Sequence, residues 1–407
     1  MSVLAIDKLC TGCLACKDSC PKEAIKTVLK NGLVYVAVDN ALCINCKMCE
    51  KVCPIVTPVP KNDVPNMRVY GGWAKKPEFR HNGASGGAFA GLAQSFIQQH
   101  EGNVAVYGAA LRDNNVKHDR ITSEQDIPAL MNSKYIQSST EGVYKLVQND
   151  LKNGLWVLFS GTPCQIAALY GFLGKMRDIK LLITVEVICH GCPGKEALDI
   201  HLNHFNSSKI YSFRNKNEGQ KWFTSQCTTI EREGKPYRFK RNDDVFYKIF
   251  SGWLLDRKSC SNCQYSSIKR VADITLGDFW GGARNPQEFD EGINVILANN
   301  TKANLFIKNS SQLEYFGSTL AKAVAGNPCL YDGYKFIQYH PLVLWPTFFR
   351  VILPRKIWLN IVENKMPYKL FWAPFKILTK LRAKIKLKQL KKTYGCYLDK
   401  WYDENRY

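Results

Sequence analysis

Two stretches of the chain, "CTGCLACKDSCP" at 10–21 and "CINCKMCEKVCP" at 43–54, repeat one spacing, C-x2-C-x2-C-x3-C-P. They commit eight of the sixteen cysteines within the first 54 of 407 residues. Disulfides would be one use for so many thiols. The N-terminus "MSVLAIDKLCTGC", however, carries charges and cysteines where a secretory signal has its apolar region. The expected compartment is therefore the reducing cytoplasm, where clustered cysteine reads as metal or redox chemistry. No apolar run reaches the roughly 18 residues of a membrane span. The nearest, "PLVLWPTFFRVILP", is broken by Pro346 and Arg350.

Three thiolates two residues apart can wrap a tight loop around three irons of a cubane. Zinc prefers two separated pairs, so the spacing points to two 4Fe-4S clusters. The fourth cysteine of each run stands before Pro21 or Pro54 and is expected at a helix start. In the paired arrangement it ligates the other cluster. The expected sets are Cys10, Cys13, Cys16 with Cys53, and Cys43, Cys46, Cys49 with Cys20. "GLVYVAVD" between the runs reads as a strand. Residues 1–57 thus resemble a two-cluster bacterial-type ferredoxin domain of α+β fold. Two clusters make a one-electron wire, which does not choose a substrate, so the chemistry is expected downstream.

"PVPKNDVPN" at 58–66 reads as a linker. Residues 67–338 then alternate strand and helix patterns, which predicts an α/β layer architecture. "VYGGWA", "NVAVYGAAL", "LWVLFSG" and "KLLITVEVIC" read as strands. "GGAFAGLAQSFIQQH", "GVYKLVQNDLKN" and "PCQIAALYGFLGK" read as helices, the last opened by Pro163. After about residue 205 the pattern becomes more β-like. "TTIEREGKPYRFK" predicts a hairpin turning at Glu233–Gly234, and "ADITLGDFWGG" and "GINVILANN" predict strands.

Residues 339–407 form a basic, aromatic-rich, helical tail. Between Arg350 and Lys400, fourteen Lys or Arg stand against Glu363 and Asp399, net +12 of the chain's +21. Two readings stay open: an interfacial helix peripheral on an anionic membrane, and a solvated basic helix on its own domain. Nucleic acid is not the expected partner, because no nucleic-acid-binding module accompanies the charge.

Four further cysteines stand in unusual contexts. Cys164 in "SGTPCQIA" and Cys189 in "EVICHGCPG" follow strands, and Cys260 and Cys263 form "CSNC". Ligands collect at strand ends of open α/β sheets. A third iron–sulfur cluster, a zinc site and a redox-active CxxC all remain open on spacing alone.

The segments "GASGGAFAGLA", "SGTPCQIAAL", "ICHGCP", "FRNKNEGQKW" and "CSNCQYSSIKRVADITLGDFWG" resemble the beta-subunit family of hydrogenases and dehydrogenases acting on the deazaflavin coenzyme F-420, over about residues 67–310. The resemblance implies an α/β flavin-binding domain with FAD and its own 4Fe-4S cluster, held by Cys164, Cys189, Cys260 and Cys263. Cys192 departs from the family pattern. Fusion to a ferredoxin domain resembles a bacterial branch found with surface-polysaccharide biosynthesis. Ser85, Gly86 and Gly87, at a helix start, and Thr162, at a strand-to-helix turn, are the candidate FAD contacts. Arg214 and Lys216 are candidates for FAD phosphate or an anionic substrate. His190 and Asp278 are the candidate catalytic groups. The expected function is an iron–sulfur flavoprotein oxidoreductase that exchanges electrons with a redox partner, ferredoxin or reductase, and an organic substrate. Alternatives are an electron-transfer subunit serving a separate catalytic protein, and a deazaflavin reductase.

Overall fold

The computed structural model describes residues 8–30, 32–214, 216, 221–241, 243–251 and 256–330. The basic tail lies outside the described residues. Thirteen strands are present among those described: β1 (Ile25–Lys30), β2 (Leu33–Val38), β3 (Arg68–Ala74), β4 (Val104–Arg112), β5 (Asn115–Ile121), β6 (Trp156–Gly161), β7 (Leu182–Val187), β8 (Ile210–Ser212), β9 (Thr229–Arg232), β10 (Lys235–Arg238), β11 (Ile274–Asp278), β12 (Asn294–Ala298) and β13 (Leu313–Gly317).

In the N-terminal module each cysteine run folds the same way. Leu14 and Lys47 take left-handed conformations, φ 60° and 63°, and open the short helices Ala15–Ser19 and Met48–Val52. The fourth cysteines, Cys20 and Cys53, lie in extended conformation at the ends of those helices, which corrects the expectation of helix starts. The reason is local: the next residue is proline, which cannot continue a helix, so the fourth thiol marks where the chain leaves it. The β1–β2 hairpin joins the two halves, pairing Ile25 with Val38 through Lys30 with Leu33.

The larger domain is built on an eight-stranded sheet of order β13-β3-β12-β11-β7-β6-β4-β5. Its centre, β4-β6-β7-β11, is parallel, as the strand–helix alternation predicts. Antiparallel strands flank it on both sides, so the sheet is mixed. Alternate residues of each central strand face opposite layers. Val104, Val106, Leu158, Ile183 and Val185 meet the helix Ala88–Gln99 in one core. Ala105, Tyr107, Val157, Phe159 and Leu182 meet the helices Val143–Lys152 and Pro163–Leu173 in the other. The β8–β10 sheet stands apart, and its β9–β10 hairpin turns through Glu233 and Gly234, φ 53° and 73°, at the expected place.

The segment 58–66 is tied down. The Asn62 amide nitrogen donates to Arg270, Val271 and Ala272 carbonyls at 2.9–3.2 Å, and its backbone N–H to Arg270 at 2.8 Å. The module itself is docked by side chains of the larger domain. Gln137 Nε2 donates to the Thr11 and Gly12 carbonyls, Thr140 Oγ1 to Cys13 and Ser259 Oγ to Cys10. Arg257 donates to the Cys10 and Val34 carbonyls and lies over the Tyr35 ring.

Candidate cluster and cofactor site

Cys20, Cys43, Cys46 and Cys49 line one small space, with Pro21, Lys22 and Ile44. The first set is gathered on the inner side. Burial pushes the Cys13 thiol up to about 12, helped by the neighbouring Cys53 and Cys10. Cys16 is also raised by burial and by Cys13, Cys10 and Cys53, and then by Cys49 of the other set. Ionised thiols this close repel one another, and the irons of a cluster would offset that repulsion.

The parallel strands point their C-terminal ends at a cavity of about 350 Å³, the placement open α/β sheets favour for ligands. Cys164 follows β6 at the second position of the helix Pro163–Leu173, and Cys189 lies two residues beyond β7. Cys260 sits in the helix Lys258–Ser261, and Cys263 follows it. All four line this cavity, together with His190, Cys192 and Cys329. Burial pushes Cys164 up to about 12, and Cys263, Cys189 and the module's Cys13 add to it. Cys13 belongs to the same apolar core against which Cys164 and Cys263 pack. The Thr162 hydroxyl lies 3.2 Å from the Cys164 sulfur, while Gln165 Oε1 takes the Thr162 N–H.

Ser85, Gly87, Thr162, Arg214, His190 and Asp278 also line the cavity. Arg214 Nη1 donates to Asp278 Oδ2 at 2.8 Å. Burial works to strip the guanidinium of its proton, but Asp278 and Tyr135 outweigh it, so Arg214 stays charged. His190 is exposed, with Nδ1 3.8 Å from the Cys329 sulfur.

Gly86 and Lys216 are not among the lining residues. Lys216 Nζ donates to the Arg80, Ser85 and Glu291 carbonyls. Burial, with Arg80 and Arg214, pushes its pKa down to about 7. Three acceptors around one ammonium need three N–H bonds, and that geometry holds the proton on. Lys216 therefore clamps the Ser85 loop from behind, its donors filled. The glycines of that loop answer to packing: a Cβ on Gly87 would come 2.3 Å from the Phe79 carbonyl, and one on Gly86 2.8 Å from that of Gly72. The first helical N–H, on Ala88, is taken by Asn294 Oδ1.

Several lining residues carry no motif. His118 is buried on Phe159, with Nδ1 2.6 Å from Ser138 Oγ and Nε2 2.9 Å from the Ser160 carbonyl. Burial lowers its pKa to about 4. Lys134 is held on the Ala129 and Met131 carbonyls and lowered by burial to about 7. Buried Arg257 and Arg270 also line the cavity. Arg270 falls within the segment "CSNCQYSSIKRVADITLGDFWG", whereas for His118, Lys134 and Arg257 the only signal is the fold that brings them together.

Residues 9–56 match the model of the 4Fe-4S dicluster domain, and residues 155–319 match that of the C terminus of the coenzyme F420 hydrogenase/dehydrogenase beta subunit. The chain is 23% identical over 192 residues to the F subunit of the F(420)H(2) dehydrogenase of Methanosarcina mazei, covering 44% of this chain and 53% of that protein. It thus spans about half the length of this curated relative. A chain of the F420-reducing [NiFe] hydrogenase complex from Methanosarcina barkeri superposes with TM-score 0.44 and 16% identity, over 64% of this chain and 83% of that one. The chain thus carries, in order, a segment matching the 4Fe-4S dicluster domain and a segment matching the C terminus of the coenzyme F420 hydrogenase/dehydrogenase beta subunit.

Proposed function

We propose that the chain is an iron–sulfur flavoprotein oxidoreductase in which electrons pass from the outer cluster to the inner one, then to a third cluster on Cys164, Cys189, Cys260 and Cys263, and on to FAD in the cavity. One observation carries this reading: Cys13 of the inner set and Cys164 of the cavity share one buried core, so the two sets of thiols meet across the module boundary. The lining suits the groups invoked. Arg257 Nε and Arg270 Nη2 are buried donors without partners beside the four thiols, and a cluster on four thiolates is anionic. Arg214 Nη2 and Asn132 Oδ1 also lack partners, and Phe89 and the stacked pair Tyr135–Phe250 line the cavity, a mix of polar and aromatic groups that suits a polar, aromatic cofactor. The volume falls within the range of about 300–1,000 Å³ usual for small-molecule sites.

Bound FAD would supply the conversion between single electrons and a hydride. The chain's own part is to orient and to exclude water. Arg214, fixed by Asp278, presents its remaining donor, Thr162 steadies Cys164, and Lys216 holds the loop of Ser85 in place. His190, exposed at the cavity, is positioned to exchange a proton. Anaerobic purification with iron, sulfide and flavin analysis tests this. Three four-iron clusters give about twelve irons per chain, with one FAD. About eight irons and no flavin would leave a dicluster module on a domain of other chemistry.

A second reading, delivery of electrons to a separate catalytic protein, is favoured by the curated relative, which is one subunit of a dehydrogenase. Turnover by the dithionite-reduced chain alone separates the two, and would include the deazaflavin coenzyme among candidate acceptors. A setting in surface-polysaccharide biosynthesis and an anionic membrane partner for the basic tail rest on resemblance and charge alone.

A further inference from the structure

The two cysteine loops are alike in backbone and opposite in environment. In the first, Leu14 and Ala15 are buried, and the carbonyls of Cys10 to Cys13 accept from Arg257, Ser259, Gln137 and Thr140. The equivalent face of the second loop is bare. Leu42, Ile44 and Met48 are 45%, 58% and 44% exposed, and Cys46 is exposed beside them. Among the described residues no side chain of the larger domain donates to the carbonyls of Cys43 to Cys46. Two positions of the second loop are the more apolar, Ile44 where the first has Thr11 and Met48 where it has Ala15, while Asn45 and Lys47 stand where it has Gly12 and Leu14. Apolar side chains gathered at a surface mark an interaction site. Lys22 and Lys47 line the same space as Ile44 and Cys46, and Lys26 and Lys51 are exposed on the module. Against these four lysines stand three acids: exposed Glu23, half-buried Glu50, paired with Lys47 at 2.9 Å, and half-buried Asp39, whose Oδ1 accepts from the Ala41 N–H. The rim is therefore basic on balance.

We propose that residues 42–48 are the docking face for a small acidic one-electron carrier protein of the ferredoxin type. This rests on the wire reading above and names the partner for its outer end. The charge balance selects an acidic carrier over a basic one, and the small apolar spot suits a brief encounter rather than a permanent assembly. In the step, the reduced carrier loses one electron and becomes oxidised, and the outer cluster gains it. No proton or covalent bond moves.

The test uses the full chain with its clusters, mixed anaerobically with a reduced acidic bacterial ferredoxin while the iron–sulfur absorbance is followed. The second-order rate should fall about tenfold or more between low and high salt, because steering by opposite charges is screened. Lys26→Glu with Lys51→Glu should lower the low-salt rate by about tenfold, and Leu42→Asp should lower it at both salts. Iron content and reduction by dithionite should stay as in the parent. A rate indifferent to salt and to these changes overturns the proposal, as does equal or faster exchange with a basic cytochrome. A chain that is dimeric until Leu42→Asp separates it would make the face a self-interface, which also overturns it. If a substitution lowers iron content, the salt dependence of the unaltered chain decides. Clusters that dithionite cannot reduce would refute the wire reading itself; reducible clusters that ignore the ferredoxin would refute only the docking face.

Discussion

At the scale of single residues, the module's two loops set opposite demands on equivalent positions. Gly12 and Asn45 occupy the same place in their runs, with φ 67° and 55°. A Cβ on Gly12 would come 2.4 Å from Arg257 and 2.5 Å from Gln137. Asn45 is exposed, and asparagine tolerates the left-handed region. Gly12→Ala should therefore cost roughly 1–3 kcal/mol, seen as a lower unfolding temperature and lost iron. Asn45→Gly should be near neutral by the same measurements. A second residue sets a pH dependence. His201 is fully buried, with Thr228 Oγ1 2.9 Å from Nε2 and the Phe246 N–H donating to Nδ1. Burial lowers its pKa to about 3. An unfolded chain takes up this proton near 6.5, whereas the folded one resists it to about 3. The unfolded state thus binds more protons between those values, and stability falls as pH falls through that window. Denaturant titrations should show a slope that His201→Gln reduces by about 1.4 kcal/mol per pH unit below 6. These residues also show the limit of reading. The twelve thiols stand out by spacing and context, but the partners Arg257, Gln137 and His118 are distant in sequence, and only the docked fold supplies their meaning.

Elements were legible wherever period and caps agreed. The central strands, the helix opened by Pro163 and the β9–β10 hairpin all follow from local pattern. The strands β3 and β12 are legible too, but their antiparallel pairing with each other and with β13 is not, because pairing is decided by which hydrophobic edges meet across the chain. One helix is finished from outside. Val143–Lys152 begins at Gly142, φ 77°, which offers no capping side chain. Asp18 of the N-terminal module fills the role, accepting from the Gly142 N–H at 2.8 Å and the Tyr144 N–H at 3.3 Å. Asp18→Ala should cost about 1–2 kcal/mol, the usual loss for a missing cap. It should also loosen the module, visible as faster proteolysis within 58–66.

For the whole molecule, the module is a wall of the larger domain rather than a tethered appendage. A Cβ on Gly171 would come 2.9 Å from the Val52 carbonyl, and Tyr265 OH donates to the Pro54 carbonyl at 2.6 Å. Removing residues 1–57 should lower the unfolding temperature by several degrees and expose dye-binding apolar surface. Unchanged stability would mean the two units are independent. The described residues include no helix long and apolar enough to cross a membrane.

The unequal burial of the two cysteine loops has a consequence for the protein's lifetime in air. Cys13, Cys16 and Cys53 are almost closed to solvent, while Cys46 lies open. Oxidants and chelators reach thiolates by access, so damage should proceed from the outside inward, with the outer cluster sacrificed first. Assembly faces the same geometry in reverse. Iron for the inner site should then enter before the module seats, whereas the outer site should accept iron afterwards, an order that iron uptake by the folded chain would reveal.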